Sequence, residues 1–488
     1  DMSLRFHSLL LDEWDVDKRK VDVTLGPTNF AKTSSSGRFS TNGQVRFSGP
    51  AFGAELQNAT INGAFAGLES KDGWMIRISD SECFDFGIAS AELTDIRIDP
   101  VSARFCAPGG RLFDREKDDK GKVVRTFGEL TTQALKLPLR HPSATADMRL
   151  QSPSFRWSAG DKIQLTMLAK SMTNPILLPD QDSKKPHSAR TGEVVSKFTL
   201  DNDNSYVDIH LKNILADIAD APIAVSAASW DAEGEVLDTG PDINWTLSKL
   251  EISDSLNPKT NALFNPLETS GSGKLTADGV VYSGPLKMVS REAEFGLIQL
   301  KHDFKSNRGS ASLTDGEITL VRKGLQLHHI SERLRGLAVN STGTIKPEVH
   351  AAWVDGVPSA KGNVEITDIS FSSFSLGQFQ GLSGEIEFSD LINMRTPPGQ
   401  TFTLQRLALS PSLALDNGEF SIQLTNANLI HLEKVSWPFV DGHLSIDPAW
   451  WELDNTRHEL TVRAEAWSLD RLTTMFKVPD LKVNGTVS

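Results

Sequence analysis

The feature that most constrains this chain is a strict two-residue alternation of apolar and polar side chains. Gly43-Gln44-Val45-Arg46-Phe47 shows it, as do Gly362-Asn363-Val364-Glu365-Ile366 and Gly384-Glu385-Ile386-Glu387-Phe388. Gly418-Glu419-Phe420-Ser421-Ile422-Gln423-Leu424 and Gly442-His443-Leu444-Ser445-Ile446 repeat the form. Period two marks a half-buried strand, dry on one face and wet on the other. Each run begins at a glycine, read here as supplying turn geometry. The dipeptides Asn42-Gly43, Asn62-Gly63, Asp278-Gly279, Asp315-Gly316, Asp355-Gly356, Asn417-Gly418, Asp441-Gly442 and Asn484-Gly485 read as hairpin turns. Together they predict a long antiparallel meander.

The pattern runs through most of the 488 residues without a clear linker. The charged run Asp114 to Lys122 and the polar stretch Pro179 to Arg190 read as surface loops. Helical signals are few. Phe127 to Leu137 is expected to be one short helix ended by Pro138. Leu469 to Phe476 is a better one, with Leu469, Leu472 and Phe476 on one stripe and Ser468 as N-cap.

A compact sandwich of this length would need linkers at intervals of roughly 100–150 residues. Open sheets beyond about 10 strands tend to curl instead. A meander of roughly 30 strands at about 4.8 Å spacing would run on the order of 140 Å. Its apolar face would far exceed the few hundred Å² that soluble proteins leave exposed. It must close on itself, pack on a partner or hold an apolar ligand. The expected fold is therefore all-β: a long curved antiparallel sheet forming an elongated hydrophobic groove, with a few short helices. Residues 1–342 and 343–488 are treated as its N-terminal and C-terminal parts, with no sharp boundary between them.

Charge narrows the partners. A net charge of −13 opposes binding to nucleic acid or to anionic membrane surfaces. No run of about 18 apolar residues has the length of a membrane-spanning helix. The chain opens on Asp1-Met2 and stops on Val487-Ser488 as if inside a strand, so it reads as an excised fragment, with room for a membrane anchor outside it. The two cysteines, Cys83 and Cys106, fit one disulfide in an oxidising compartment. Two free buried thiols are the other reading.

Catalytic patterns are missing or incomplete. Glu268 to Leu275 ends in Gly273-Lys274, but Glu268 replaces the first glycine of a phosphate loop and Leu275 its Ser/Thr. No Gly-x-Ser-x-Gly nucleophile elbow occurs. His328, His329 and Glu332 form the densest metal-like cluster, yet they lack an i, i+4 histidine pair and read as surface residues near a turn. A catalytic role, a metal or a cofactor is therefore not expected. A carbohydrate-active β-helix would need a regular rung repeat, and the glycine spacing is irregular.

The second half resembles a known family. Trp353-Val354-Asp355-Gly356-Val357-Pro358-Ser359-Ala360-Lys361-Gly362 is similar to a signature of the YdbH-type proteins, in the AsmA-like group of bridge-like lipid transporters. Arg395-Thr396-Pro397-Pro398-Gly399-Gln400-Thr401, Trp437-Pro438-Phe439-Val440-Asp441-Gly442 and the strand–helix–strand of Leu460 to Val487 also resemble it. The resemblance is specific from about Gly343 onward and architectural before that. It implies a periplasmic body anchored to the inner membrane before Asp1. It implies phospholipids carried towards the outer membrane in a hydrophobic groove, and contact with a small outer-membrane lipoprotein beyond Ser488. It supplies no catalytic residues. Gly356, Gly399 and Gly442 read as turn glycines, and Pro397-Pro398-Gly399 as a fixed rim loop.

Acyl chains would then lie against Val45, Phe47, Val364, Ile366, Ile386, Phe388, Phe420, Ile422, Leu424, Leu444 and Ile446, with head groups left wet. Each of these side chains could equally be packed against a covering element. The competing reading of the whole chain is a periplasmic tether with a closed core and no lipid.

Overall fold

The computed structural model describes residues 2–487 except 17–18, 35, 52–53, 71–72, 80–81, 94–95, 143, 178–186, 202–203, 219–222, 238, 258, 292, 375, 412, 454, 456, 476–482 and 484. It is an all-β protein, and every described strand pairing is antiparallel. Among the described residues, α-helix is confined to Leu327–Ile330 and Leu469–Met475. The chain forms two compact units. The first comprises Asp1–Ala221, Val225–Leu250 and Lys274–Ala277; the second comprises Pro222–Ala224, Glu251–Gly273 and Asp278–Ser488.

In the first unit, long hairpin arms are broken once near their middle. Val123–Thr131 continues as Ala134–His141, Ala144–Gln151 as Ser154–Ala159, and Ile163–Ala169 as Ser171–Leu177. The hydrogen bonds carry through the breaks: Thr132 N–H donates to Pro153 O, Ser152 N–H to Gln133 O and Lys170 N–H to Gln151 O. Ser152 takes a positive φ of 47° at one of these corners. Such an irregularity bends a strand without ending it. Leu135 and Leu150 pair across one arm and are buried with Val101, Ala169 and Val194.

Cys83 and Cys106 stand directly opposite each other in the ladder of Cys83–Ile88 against Val101–Cys106, and they form a disulfide. Beside it Phe84 and Phe105 pack at 6.0 Å between ring centroids.

The second unit repeats the meander in strands of 11 to 17 residues. Val339–Val354, Val357–Ser373, Gly377–Phe388, Gln400–Ser410, Leu413–Asn426 and Leu429–Phe439 each pair with the next. Pro347 sits inside the first of them without breaking it. Its neighbour on one side is Val364, while on the other the adjacent strand is interrupted between Thr314 and Ile318. The missing N–H of proline therefore falls where little of the ladder is available to receive it.

Several sequence expectations are corrected here. Phe127 to Leu137 is not a helix but parts of two strands. Leu135, Leu137 and Leu139 alternate with Lys136, Pro138 and Arg140, and β-branched Val123, Val124, Thr126 and Thr131 favour extension upstream. Asp114–Lys117 is a strand, with Asp118 closing the turn after it by accepting from the Lys120 and Lys122 N–H groups. His187–Thr191 is also a strand; residues 179–186 lie outside the described residues.

The Asn-Gly pairs at Asn42, Asn62 and Asn417 lie within strands, and Asp315-Gly316 joins two short strands rather than a tight hairpin. Gly43 faces Gly63 in register. A Cβ on Gly43 would meet Leu25 Cδ2 at 2.6 Å, so the residue provides room rather than a turn. Asp278-Gly279 and Asp355-Gly356 do lie at hairpin connections, and Asp441 is in a turn that ends at Gly442. Asn484 lies outside the described residues. The helix at Leu469–Met475 forms as expected, with Arg471 N–H donating to Ser468 Oγ at 3.4 Å; Phe476 is outside the described residues.

Candidate functional site

In an antiparallel sheet, residues opposite one another project to the same face. Following those partners through the second unit gives a single apolar row. Ile318 faces Ile345, and Ile345 faces Ile366. Ile366 faces Gly384, Gly384 faces Phe402, and Phe402 faces Phe420. Phe420 faces Val435, Val435 faces Ile446, and Ile446 faces Val462. Nine strands are crossed without one polar side chain in the row. Gly384 is the single position lacking a side chain, and a Cβ there would meet Phe402 Cδ1 at 2.5 Å. The ring of Phe402 fills the space and stacks on Phe420 at 5.2 Å.

The apolar face survives a change of phase in three of these strands. In Val357–Ser373 the apolar positions Val364 and Ile366 are followed by Ile369 and Phe371, a three-residue step at which Asp368 has φ 51°. Gly377–Phe388 makes the same step between Phe379 and Leu382, with Gly381 at φ 67°. Leu413–Asn426 makes it between Leu415 and Gly418, with Asn417 at φ 57°. One extra residue is thereby absorbed, and alternation resumes on the same side. Phe379, Leu382, Leu404, Leu407, Leu415, Phe420 and Val435 consequently share one cluster. Phe371 and Phe379 stack there at 4.5 Å.

Nine of the eleven expected contact residues fall in this unit. Val364 faces Ile386, Phe388 faces Gly362, Ile422 faces Leu432, and Leu424 faces Ile430. Leu444 faces Trp437. Ile366, Phe420 and Ile446 belong to the row itself. Phe388 is buried, and the other eight are half-buried. Val45 and Phe47 lie in the first unit, where Val45 bridges Val23 and Ile61 while Phe47 bridges Val21 and Ala59.

Sequence reading missed Ile318, Ile345, Phe402, Val435 and Val462. Phe402-Thr403-Leu404 does alternate, but the step to Leu407 hides it. Ile345 lies two residues before Pro347, which argues locally against a strand.

The opposite face is charged and wet. Arg406 pairs with Asp416 at 3.1 Å, Lys346 with Glu317 at 3.5 Å, and Lys434 with Glu419 at 3.9 Å. Such exposed pairs contribute about 0–1 kcal/mol each. They mark the solvent side more than they stabilise it.

His328, His329 and Glu332 do not converge as a metal site. His329 Nδ1 accepts from the Gln326 N–H at 3.0 Å, and Glu332 is held by Arg335. No group of three or more metal-ligating side chains occurs among the described residues. No helix among them is long and apolar enough to cross a membrane.

An all-β chain with an apolar row running across its strands has the surface of a carrier for elongated apolar molecules. The family comparison makes the class specific: the chain belongs to the YdbH-like family, described as intermembrane phospholipid transport protein YdbH, whose model matches residues 13–488. The match reaches far upstream of the segment whose motifs carry the resemblance. Lipid transport is the role of this family, and it is not a class of enzymes. No curated protein sequence matches the chain.

Proposed function

We propose that this chain is the body of a periplasmic bridge that carries phospholipids between the inner and outer membranes. Acyl chains lie along the apolar face and head groups remain in water. The observation that carries this reading is the nine-strand row from Ile318 to Val462. Burying one CH₂ is worth about 0.8 kcal/mol, so one acyl chain binds without polar recognition. A row of uniform apolarity lets that chain slide, because each position resembles the last. Within the first unit, Val45 and Phe47 offer acyl chains an apolar surface of their own. An inner-membrane anchor upstream of Asp1 and a small outer-membrane lipoprotein beyond Ser488 complete the bridge.

A tether with a closed core is the competing reading. A closed core would bury the row throughout, yet Ile345, Ile366, Phe420 and Ile446 stay half-buried. Native mass spectrometry of the purified protein separates the two readings: bound phospholipid supports the carrier, and a clean apo mass supports the tether. Ile366→Asp then tests passage. A folded Ile366→Asp protein that sustains outer-membrane integrity as well as the parent would sink the sliding mechanism.

A further inference from the structure

We propose that residues 321–338 form a gate over the apolar face of the second unit, and that Arg333 is the latch that holds it closed. The inference rests on the reading of that face as an acyl-chain path.

The segment is inserted between Ile318–Leu320 and Val339–Val354 and contains a one-turn helix, Leu327–Ile330. Leu325, Leu327 and Ile330 turn onto the sheet, while Val321 and Leu337 at its ends are exposed. Leu325 is buried with Leu286, Phe295, Ile318, Leu320 and Ile369, while Leu327 and Ile330 pack against the same cluster. Ile318, Ile345 and Ile366, the first three members of the row, belong to or pack on that cluster. Phe420 and Ile446, further along the row, do not. The chain thus covers one end of the proposed path with its own side chains. An acyl chain and this segment would compete for the same surface.

The segment is held from both sides of the sequence. Arg333 Nε donates to Asn261 O at 3.3 Å and Nη2 donates to Asn257 Oδ1 at 3.1 Å. Nη1 donates to Ala427 O at 3.2 Å and to Asn428 Oδ1. One guanidinium therefore joins the gate to Asn257 and Asn261 and to the turn between Leu413–Asn426 and Leu429–Phe439. Its planar fork suits several simultaneous acceptors, which a lysine ammonium cannot match. Asn265 Nδ2 adds bonds to the carbonyls of His328 and His329, and Ser331 Oγ adds one to Ala262 O.

Every acceptor in the Arg333 set is neutral, so releasing the latch leaves no carboxylate stranded. Gly336, at φ 81° with open space around it, provides a hinge beside Val339–Val354. Gln326 anchors the other end: its Nε2 donates to Ser341 O at 3.0 Å and its Oε1 accepts from Ser341 N–H at 2.7 Å.

Photoreactive side chains at Ile366 and, separately, at Ile446 test the gate in vesicles of phosphatidylethanolamine and phosphatidylglycerol, with lipid adducts read by mass spectrometry. Arg333→Ala is expected to raise labelling at Ile366 by about fivefold or more, the lower end of ordinary coupling between a contact and a distant equilibrium. Labelling at Ile446 should not change. Hydrogen exchange of residues 325–331 should accelerate in the same variant. Arg333→Lys keeps the charge but loses the fork, and it carries the same comparison should Arg333→Ala not fold.

Exchange at 325–331 that matches the parent would overturn the latch. Faster exchange with unchanged labelling at Ile366 would overturn the gate. Absence of adducts at Ile446 in every form would instead overturn the acyl-path reading on which the gate rests.

Discussion

Phe402 and Phe420 face one another on adjacent strands, with ring centroids 5.2 Å apart and planes inclined by 16°. Phe402 is 3% exposed, and its ring lies over Gly384 on the other side. The stack sits at the centre of the apolar row and couples three strands. Phe402→Ala removes the ring from a packed site and should cost about 3–5 kcal/mol. Thr403→Ala, on the wet face of the same strand, should stay within about 0.5 kcal/mol. Urea unfolding of both variants gives the comparison, and equal losses would mean that the face assignment is wrong.

Cys83 and Cys106 close a loop with a sequence separation of 23. Chain-entropy arguments put the stabilisation from such a loop at about 3 kcal/mol. The double variant Cys83→Ala/Cys106→Ala should unfold at correspondingly lower denaturant. The parent in reductant should move towards the same midpoint.

His210 stands between two carboxylates, with Nδ1 2.7 Å from Asp231 and Nε2 2.8 Å from Asp208. The hydrogen bond to Asp231 is the main cause that raises its pKa above the ordinary histidine value. A raised folded-state value means that the protonated ring stabilises the fold below about pH 6.5, and that this contribution is lost as pH rises through the folded value. An NMR titration should place the midpoint above that of a free histidine. Asp231→Asn should bring it back down.

His328 and His329 behave in the opposite sense. Burial, with Arg291 and Arg335 nearby, lowers both pKa values despite the opposing charge of Glu332. Stability from the neutral rings is therefore full above about pH 6.5 and declines as pH falls from there towards the folded values. His329 Nδ1 must also stay unprotonated to accept from Gln326 N–H. Relative to the intrinsic amide rate at each pH, exchange across 325–331 should quicken between neutral and mildly acidic pH, while the strand Gln400–Ser410 stays protected. Equal acceleration in both would argue against a local effect.

The strands were legible wherever alternation ran unbroken, as in Gly384–Phe388 and Gly442–Ile446. What sequence reading lost was the context of glycine. Asn-Gly signals a hairpin only where no partner strand continues past it; Asn42 and Asn62 lie in strands paired along both arms. Gly418 likewise makes room for the Trp437 indole on the neighbouring strand, a contact no local window contains. In the segment 321–338 only His328, His329 and Glu332 stand out locally, because Arg333 acquires its role from residues more than 70 positions away in both directions. Leu325, Leu327 and Ile330 are too few and too irregular to announce a covering face by periodicity.

The three-residue steps at Asp368, Gly381 and Asn417 bear on how such a chain can change in length. Each strand is two half-strands in fixed phase, joined by one spare residue. Removing that residue would turn every side chain beyond it over, presenting charge to lipid and leucine to water. Removing an entire hairpin would leave the phase of its neighbours intact. Lengthening or shortening this sheet is therefore a matter of whole hairpins, each adding about 10 Å of path at the spacing of two strands.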